Sequence, residues 1–489
     1  MSEDAETTSQ GSPYSMTEEL LKARLNKADY GRISTQLYAG LLACMSSISF
    51  GTALGWSVPV THQLITGRQG LGTKNFALLV SMVPLGCSFG ITVSSLLMKQ
   101  LGPKKALVTI APFYILTWWL MLLPNINLQL AGRFFLGFLG IIYSICGESL
   151  LQQTVHYAIK RYVSVFYNCS MLMGVWICNV WGTHVSQFLF TVFCASIPIV
   201  HFILIEVAPE SPVFLYATSH VAAAKSLAWY RGKGNFYEEM ALIKKDWDAV
   251  RQDSDAYRYM LFSKVVFKGL LIVVGVTFFQ VCSGYFIFLF YNIHVWTNGK
   301  IITCRQTDST IISTLFVLSK LFWGAFHSVF TPKVRWLLIA SCLMTAIQLS
   351  LLSIYLLLDS HHIVSVYWLP FLILAVFLFC YDMGLNFYPK ILIFEYMPFQ
   401  MFRRAYSLVQ SLFWLFTFFN VFTFAMMRII LPSYSTFFIL AGLSYVGTLF
   451  CYYFVIDPKG KSLIQVQLEL GGNPIGKRGA LYNQTKIIV

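Results

Sequence analysis

Long apolar runs recur along the chain of 489 residues and are separated by short polar segments. A helix of about 20 apolar residues spans the hydrocarbon core of a bilayer, because each residue adds about 1.5 Å. The pattern predicts twelve membrane-spanning helices, six before a long polar segment and six after it. The predicted spans are 36–58, 76–98, 105–123, 128–151, 163–185, 188–207, 267–291, 310–330, 335–358, 365–391, 405–429 and 434–456.

This spacing predicts an all-α membrane protein with twelve transmembrane helices in two six-helix bundles. The predicted parts are an N-terminal tail 1–35, a first bundle 36–207, a linker 208–266, a second bundle 267–456 and a C-terminal tail 457–489. The linker contains EEMALIKKDWDAVRQ, whose charged and apolar residues alternate at helical spacing. It is either a solvated connection between the bundles or a gate that latches onto the ends of the spans.

Composition agrees with a membrane protein, since 57% of the residues are hydrophobic and 11% are charged. Soluble domains carry about 25% charged residues, so a soluble enzyme or a nucleic-acid binder is excluded. The sequence has no CxxC, HExxH or Gly-rich phosphate loop, and we expect no enzymatic activity, cofactor or metal. Most cysteines fall in apolar runs and predict no disulfide framework.

The net charge of +14 is spread over short loops, which is typical of a topology signal. Lys and Arg are concentrated in the two tails and in the segments after the even-numbered spans. Arg68, Lys74, Lys300 and Arg305 are the main exceptions. Because basic loops stay on the cytoplasmic side, both termini are predicted to be cytoplasmic.

The stretch FFQVCSGYFIFLFYN, residues 278–292, combines an apolar run with four residues at helical spacing. Gln280, Ser283, Gly284 and Tyr291 lie at offsets 0, 3, 4 and 11, on one face of a continuous helix. An unsatisfied amide in hydrocarbon costs several kcal/mol, so Gln280 needs a partner or a water-lined surface. The stretch predicts a polar face that lines a cavity.

A second polar stripe lies in YDMGLNFYPK, residues 381–390, where Asp382, Asn386 and Lys390 are four residues apart. Ionisable residues inside a membrane usually mark a functional site. Asp382 either lines a cavity or makes a buried structural hydrogen bond. Lys390 either lines the cavity or extends to the lipid headgroups. Glu148 is an unusual acid within span 4, and Lys390 or Lys320 is a candidate partner for it.

Several short motifs occur at matching positions along the spans. They are GWSVP (55–59), GRFFLG (132–137), PESPVFL (209–215), WYRG (229–232), QVCSG (280–284), FEYMP (394–398) and DPKGKSL (457–463). Their order resembles the sugar porter family of the major facilitator superfamily, and GWSVP resembles the insect facilitated trehalose and glucose transporters. The resemblance implies alternating-access transport of a sugar by the fold described above.

The resemblance also implies a mid-membrane substrate site, although about half of its polar positions are apolar in this chain. Asn168 and Asp382 stand where the family has a glutamine and a glutamate, whereas Phe286 replaces an asparagine and Lys390 a tryptophan. The resemblance and the two polar stripes together predict eight substrate-binding residues. They are Asn168, Gln280, Ser283, Tyr291, Asp382, Asn386, Lys390 and Trp414.

The family also has a cytoplasmic network of acids and arginines that holds one transport state. Here Lys99 and Gln153 replace two of its acids, so we expect a thinned network and a shifted balance between states. Alternatively, these charges only face the lipid headgroups. The candidate gating and charge-network residues are Arg133, Lys104, Lys160, Glu210, Arg335, Glu395, Arg403 and Arg404.

The leading functional prediction is facilitated diffusion of glucose or trehalose through the plasma membrane, since span 1 lacks the carboxylate that the family's proton-coupled members use. Two alternatives stay open: a facilitator of a different amphipathic or anionic solute, and a sugar sensor that does not transport. The expected partners are a small-molecule sugar or related solute and the lipid bilayer. We expect neither nucleic acid nor an obligate protein partner.

Overall fold

The computed structural model is nearly all helical. It describes residues 31–60, 72–182, 184–232, 239–244, 264–291, 306–330, 332–363, 366, 368–397, 399–459, 461 and 463–470. Within these ranges the chain forms helices and their connections, with no β-strand. Most of the two predicted tails and residues 245–263 of the predicted linker lie outside this description.

Six long helices form the first bundle. They are α1 (Ile33–Gly55), α2 (Thr73–Leu101), α3 (Pro103–Leu120), α4 (Ile126–Thr154), α5 (Tyr157–Trp181) and α6 (Gln187–Ile205). Two short helices follow, α7 (Pro212–Tyr216) and α8 (His220–Arg231). Residues 239–244 of the predicted linker helix are also helical.

The second bundle has the same number of spans, but two of them are each made of two helices. Its helices are α9 (Lys264–Cys282), α10 (Tyr285–Tyr291), α11 (Gln306–Val329), α12 (Val334–Ser360), α13 (Leu369–Met383), α14 (Tyr388–Tyr396), α15 (Phe399–Ile430) and α16 (Ser433–Phe454). A last short helix, α17 (Leu463–Glu469), packs against α14.

Eleven of the described helical stretches are long and apolar enough to cross a membrane. The remaining predicted span is α3, which has 18 residues and begins with Pro103, Lys104 and Lys105. The two charges lower its mean hydropathy, yet α3 packs against α4 and α6 within the first bundle. The prediction of an all-α membrane protein with two six-helix bundles is therefore confirmed.

The spans predicted at 267–291 and 365–391 are interrupted rather than continuous. Gly284 has φ +88°, a conformation that L side chains rarely adopt, and it separates α9 from α10. The turn at 384–387 separates α13 from α14, and a Cβ at Gly384 would lie 2.6 Å from the carbonyl oxygen of Leu337 in α12. Both interruptions lie next to the polar stripes found in the sequence.

The two bundles meet along two pairs of helices, α2 with α15 and α5 with α11, and α10 also contacts α1. We call the side of the membrane where α1 begins and α16 ends the terminal side, and the other the opposite side. Residues of α4, α5, α11, α13, α14 and α15 face the region between the bundles. The polar residues of the next section lie there.

Candidate substrate site

Asp382 of α13 is at the centre of the polar region and has no exposed surface. The hydroxyl of Ser319 in α11 donates a hydrogen bond of 2.6 Å to its Oδ2. The side-chain amide of Asn386 donates to its Oδ1 across the interruption between α13 and α14. Both carboxylate oxygens are therefore used within the protein, which is the buried hydrogen bond that the sequence left open as one alternative.

Two lysines of the second bundle lie near this carboxylate. The ammonium of Lys320 in α11 lies 4.9 Å from the ring centre of Phe387, a cation–π contact. Asp382 and Lys390 are both within electrostatic range of Lys320, although the Asp382 carboxylate forms no close ion pair with it. Lys390 of α14 is exposed.

Glu148 lies on the first bundle, half-buried in the middle of α4. It is within electrostatic range of Lys390 and of Tyr406 in α15. Lys390 is thus within electrostatic range of charged groups on both bundles. The centre of the protein holds two acids and two lysines, contributed by α4, α11, α13 and α14.

Gln280 of α9 is buried, and its side chain lies beside that of Tyr381 in α13. Tyr381 in turn stacks on Tyr285, with ring centres 4.2 Å apart. The buried amide therefore lies next to a tyrosine of α13. Neither tyrosine is among the residues predicted from the sequence, where their one signal is their position beside the polar stripes.

The structure places Ser283 and Tyr291 away from Asp382. Ser283 is fully buried, and its hydroxyl donates to the carbonyl of Gln280 at 2.7 Å, within its own helix end. The Tyr291 hydroxyl donates to the carbonyl of Val421 at 3.1 Å. The ring of Tyr291 meets Phe76 of α2 at 6.3 Å, where the bundles touch near the opposite side.

Trp414 of α15 belongs to an aromatic group that spans the two bundles. Its ring centre lies 5.8 Å from that of Phe50 in α1 and 5.9 Å from that of Phe286 in α10. Phe413 lies 5.3 Å from Phe286. These rings form an apolar wall where the resemblance implies polar contacts.

Asn168 is exposed on α5 and makes no hydrogen bond within the described part of the chain. It lies on the helix surface away from the exposed apolar residues Tyr162 and Phe166. The next residue, Cys169, is within electrostatic range of Lys320 and Asp382. Asn168 therefore lies at the level of the polar centre without contacting the other predicted residues.

On the terminal side, Glu210 links α3 to the segment that follows α6. Its Oε1 and Oε2 accept hydrogen bonds of 2.9 Å from the backbone N–H groups of Lys104 and Lys105, at the start of α3. An acid at a helix N-terminus satisfies otherwise unpaired N–H groups. The side chain of Lys104 pairs with Glu206 instead, at 3.7 Å.

A second terminal-side cluster forms around Arg231 of α8. Its guanidinium pairs with Glu239 at 2.5 Å and donates to the carbonyl of Thr154 at 2.7 Å. Lys160 lies in the same cluster, close enough to affect His156. Burial, with Arg231 and Lys160 nearby, lowers the pKa of His156, and Glu239 opposes this shift. The cluster ties α8 to the connection between α4 and α5.

Four of the remaining candidate gating residues lie on the second bundle. Arg335 donates to the carbonyl of Tyr452 at 2.6 Å, Glu395 is half-buried, and Arg403 and Arg404 are exposed. Between described residues, the ion pairs are Lys104–Glu206, Arg231–Glu239 and Lys461–Glu469, and none of them joins the two bundles.

Arg133 lies in the opposite-side half of α4, far from the terminal-side charges. It is fully buried and donates to the carbonyls of Ala53 at 2.6 Å and Leu79 at 3.2 Å. Its guanidinium also lies 5.5 Å from the ring of Trp56. Arg133 thus joins α4 to α1 and α2 within the first bundle.

Two six-helix bundles around a buried polar centre define a membrane transporter of the major facilitator fold. A family model described as "Sugar (and other) transporter" matches residues 11–470. The chain belongs to this family of sugar transporters, and it is not an enzyme.

Relatives and solved structures agree with this assignment. The facilitated trehalose transporter Tret1 of Bombyx mori is 26% identical over 89% of this chain and 87% of its own length. Tret1 of Apis mellifera ligustica is 25% identical over 92% of this chain and 91% of its own length. The inward-open xylose transporter XylE from E. coli has a TM-score of 0.72 at 17% identity, over 89% of this chain and 99% of that one.

Proposed function

We propose that this protein carries a sugar of the glucose or trehalose class across the membrane by facilitated diffusion. The main support is the buried polar centre, which holds hydrogen-bonding side chains from α9, α11 and α13 between two bundles. A sugar that leaves water needs such donors and acceptors, together with an apolar face for its ring. The aromatic group around Trp414 supplies that face, and curated relatives are named as facilitated trehalose transporters.

Uniport follows from the composition of α1. Its sequence, ISTQLYAGLLACMSSISFGTALG, has no Asp or Glu carboxylate that could exchange a proton. Sugar flux is then driven by the sugar gradient alone.

Access to the site alternates between the two sides in this proposal. On the opposite side, Tyr291 meets Phe76, and Trp176 donates to the hydroxyl of Thr314 at 2.9 Å, so both contacts join the bundles. The described terminal-side ion pairs lie within the first bundle, within the linker and within the C-terminal tail, so none of them joins the two bundles. This arrangement corresponds to a state that is closed on the opposite side.

The terminal side is cytoplasmic in this proposal, and the membrane is the plasma membrane. The support is the distribution of basic residues, which follows the positive-inside rule along the chain. On this assignment α7, α8 and the terminal-side clusters lie in the cytoplasm. A sugar would leave the site toward the cytoplasm in the state described above.

Flux into proteoliposomes tests the proposal. The purified protein should equilibrate labelled glucose or trehalose without a pH gradient, and Gln280→Ala should abolish this flux because Tyr381 and the sugar lose the amide. Gln348→Ala, a half-buried glutamine of α12, is the matched control and should transport normally. Absence of flux for both sugars would overturn the proposal, and a requirement for a proton gradient would overturn uniport.

A further inference from the structure

Lys320 and Lys390 present two ammonium groups to the region between the bundles. Lys320 follows Ser319 and Lys390 lies four residues after Asn386, and Ser319 and Asn386 hydrogen-bond to the two oxygens of the same carboxylate, that of Asp382. Within the described residues neither ammonium has a hydrogen-bond acceptor or an ion-pair partner, and the one close contact of Lys320 is the ring of Phe387. Each ammonium has three N–H donors, and a charge at membrane depth is costly when these are unpaired.

The two acids of the region do not satisfy these donors. Both oxygens of Asp382 already accept hydrogen bonds, from Ser319 and Asn386, and the side chain has no exposed surface. Glu148 faces Lys390 from the other bundle, but no close ion pair joins them. The accessible groups are thus two lysines on one bundle and one acid on the other.

We propose that Lys320 and Lys390 bind an anionic group of the transported solute. The solute is then a sugar or related polyol that carries a carboxylate or a phosphate, with its ring against the aromatic wall formed by Trp414, Phe286 and Phe413. This inference rests on the proposed transport function and narrows its substrate class. In the empty protein, Glu148 supplies the opposing charge to Lys390, and the anion of the solute replaces it.

Asp382 stabilises Lys320 in this site and does not itself bind the anionic group. Its charge lies beside Lys320 while its oxygens hold Ser319 and Asn386, so it stabilises the lysine without competing for the solute. Charge-assisted hydrogen bonds from two lysines favour an anion over a neutral hydroxyl by about tenfold or more.

Uptake of three labelled probes by proteoliposomes tests the inference: glucose, glucuronate and glucose 6-phosphate. In the wild type, at least one of the two anions should be taken up about tenfold faster than glucose at equal low concentration. Lys390→Gln and Lys320→Gln should each lower the anion flux about tenfold, and should lower it more than they lower the glucose flux. Lys390→Arg, which keeps the charge, should retain the preference. Lys99→Gln, an exposed lysine at the end of α2, should behave as wild type.

The outcomes separate this inference from the proposed function. If glucuronate is taken up and glucose 6-phosphate is not, the anionic group that the site binds is a carboxylate. If only glucose 6-phosphate is taken up, the group is a phosphate. If glucose crosses and neither anion does, the anion site is wrong and sugar transport stands. An equal loss of glucose and anion flux in Lys390→Gln also overturns the anion site.

Thermal unfolding provides a readout that does not need transport. If no probe enters the proteoliposomes, an anion can still raise the melting temperature of the wild type and not that of Lys390→Gln. In that case the inferred anion site stands and the proposed transport function is wrong. If no probe either crosses or binds, both are wrong. Because Lys390 is exposed, its replacement keeps the test informative even if Lys320→Gln does not fold.

Discussion

Ser319 of α11 donates a hydrogen bond of 2.6 Å to Asp382 of α13, and this bond joins two helices of the second bundle at the polar centre. Asn386, within the turn between α13 and α14, donates to the other carboxylate oxygen. The carboxylate therefore fixes the positions of three segments at once. It also places a negative charge beside Lys320.

Asp382→Asn removes that charge and keeps the shape of the side chain. We expect the protein to fold, because the new amide can donate to Ser319 and still accept from Asn386. Substrate flux should fall by about tenfold, since Lys320 loses the charge that stabilises it. Uptake by proteoliposomes at matched protein amounts measures the effect. Asp359→Asn, at the end of α12, should transport normally, and wild-type flux in Asp382→Asn would show that the charge is dispensable.

Gly284→Ala tests the interruption between α9 and α10. The residue has φ +88°, and an added Cβ would lie 3.3 Å from Cδ1 of Leu440. The strained backbone should destabilise the protein by about 1–2 kcal/mol. Thermal unfolding in detergent measures the loss. Gly442→Ala is the control, because an added Cβ there meets nothing within 4 Å, and equal melting temperatures for the two variants would contradict the prediction.

The sequence predicted the membrane spans well, because long apolar runs are a local property that the bilayer requires of each helix. It did not predict the interruption at Gly284, since the apolar composition continues from α9 into α10. That interruption explains the placement of Tyr291. The shared face with Gln280 assumed one continuous helix, whereas the helix is interrupted at Ser283 and Gly284 between the two residues. The position of Tyr381 beside Gln280 depends on how α13 packs in the bundle, and a local sequence pattern holds no information on this packing.

Glu210→Gln tests the hydrogen bonds that hold the start of α3. The variant keeps one acceptor, but its amide NH2 group takes the place of the other and faces one backbone donor, that of Lys104 or Lys105. We expect a loss of about 1–3 kcal/mol in unfolding free energy, the cost of leaving a partly buried donor unpaired. Glu206→Gln removes only the exposed pair with Lys104 at 3.7 Å and should cost about 0–1 kcal/mol. Denaturation of both variants in detergent gives the comparison, and equal costs would argue against the helix-end role.

Tyr291→Ala tests the closure of the opposite side. The variant loses the ring contact with Phe76 across the bundles and the hydrogen bond to Val421. An aromatic pair contributes about 0.5–1.5 kcal/mol, so the population closed on this side should fall about two- to tenfold relative to the open one. Spin labels at Gly72 and Pro432, exposed residues at the opposite-side ends of α2 and α15, report the separation of the bundles.

Pulsed electron paramagnetic resonance measures the distance between these two labels. The mean distance should be longer, and its distribution broader, in Tyr291→Ala than in the wild type. Tyr453→Ala, which removes a tyrosine that is 73% exposed on α16, should leave the distribution unchanged. Tyr291→Phe keeps the ring contact and loses only the hydrogen bond, so its distribution should lie nearer to the wild type. An unchanged distribution in Tyr291→Ala would mean that α10 does not hold this side closed, and that other contacts such as Trp176 with Thr314 do.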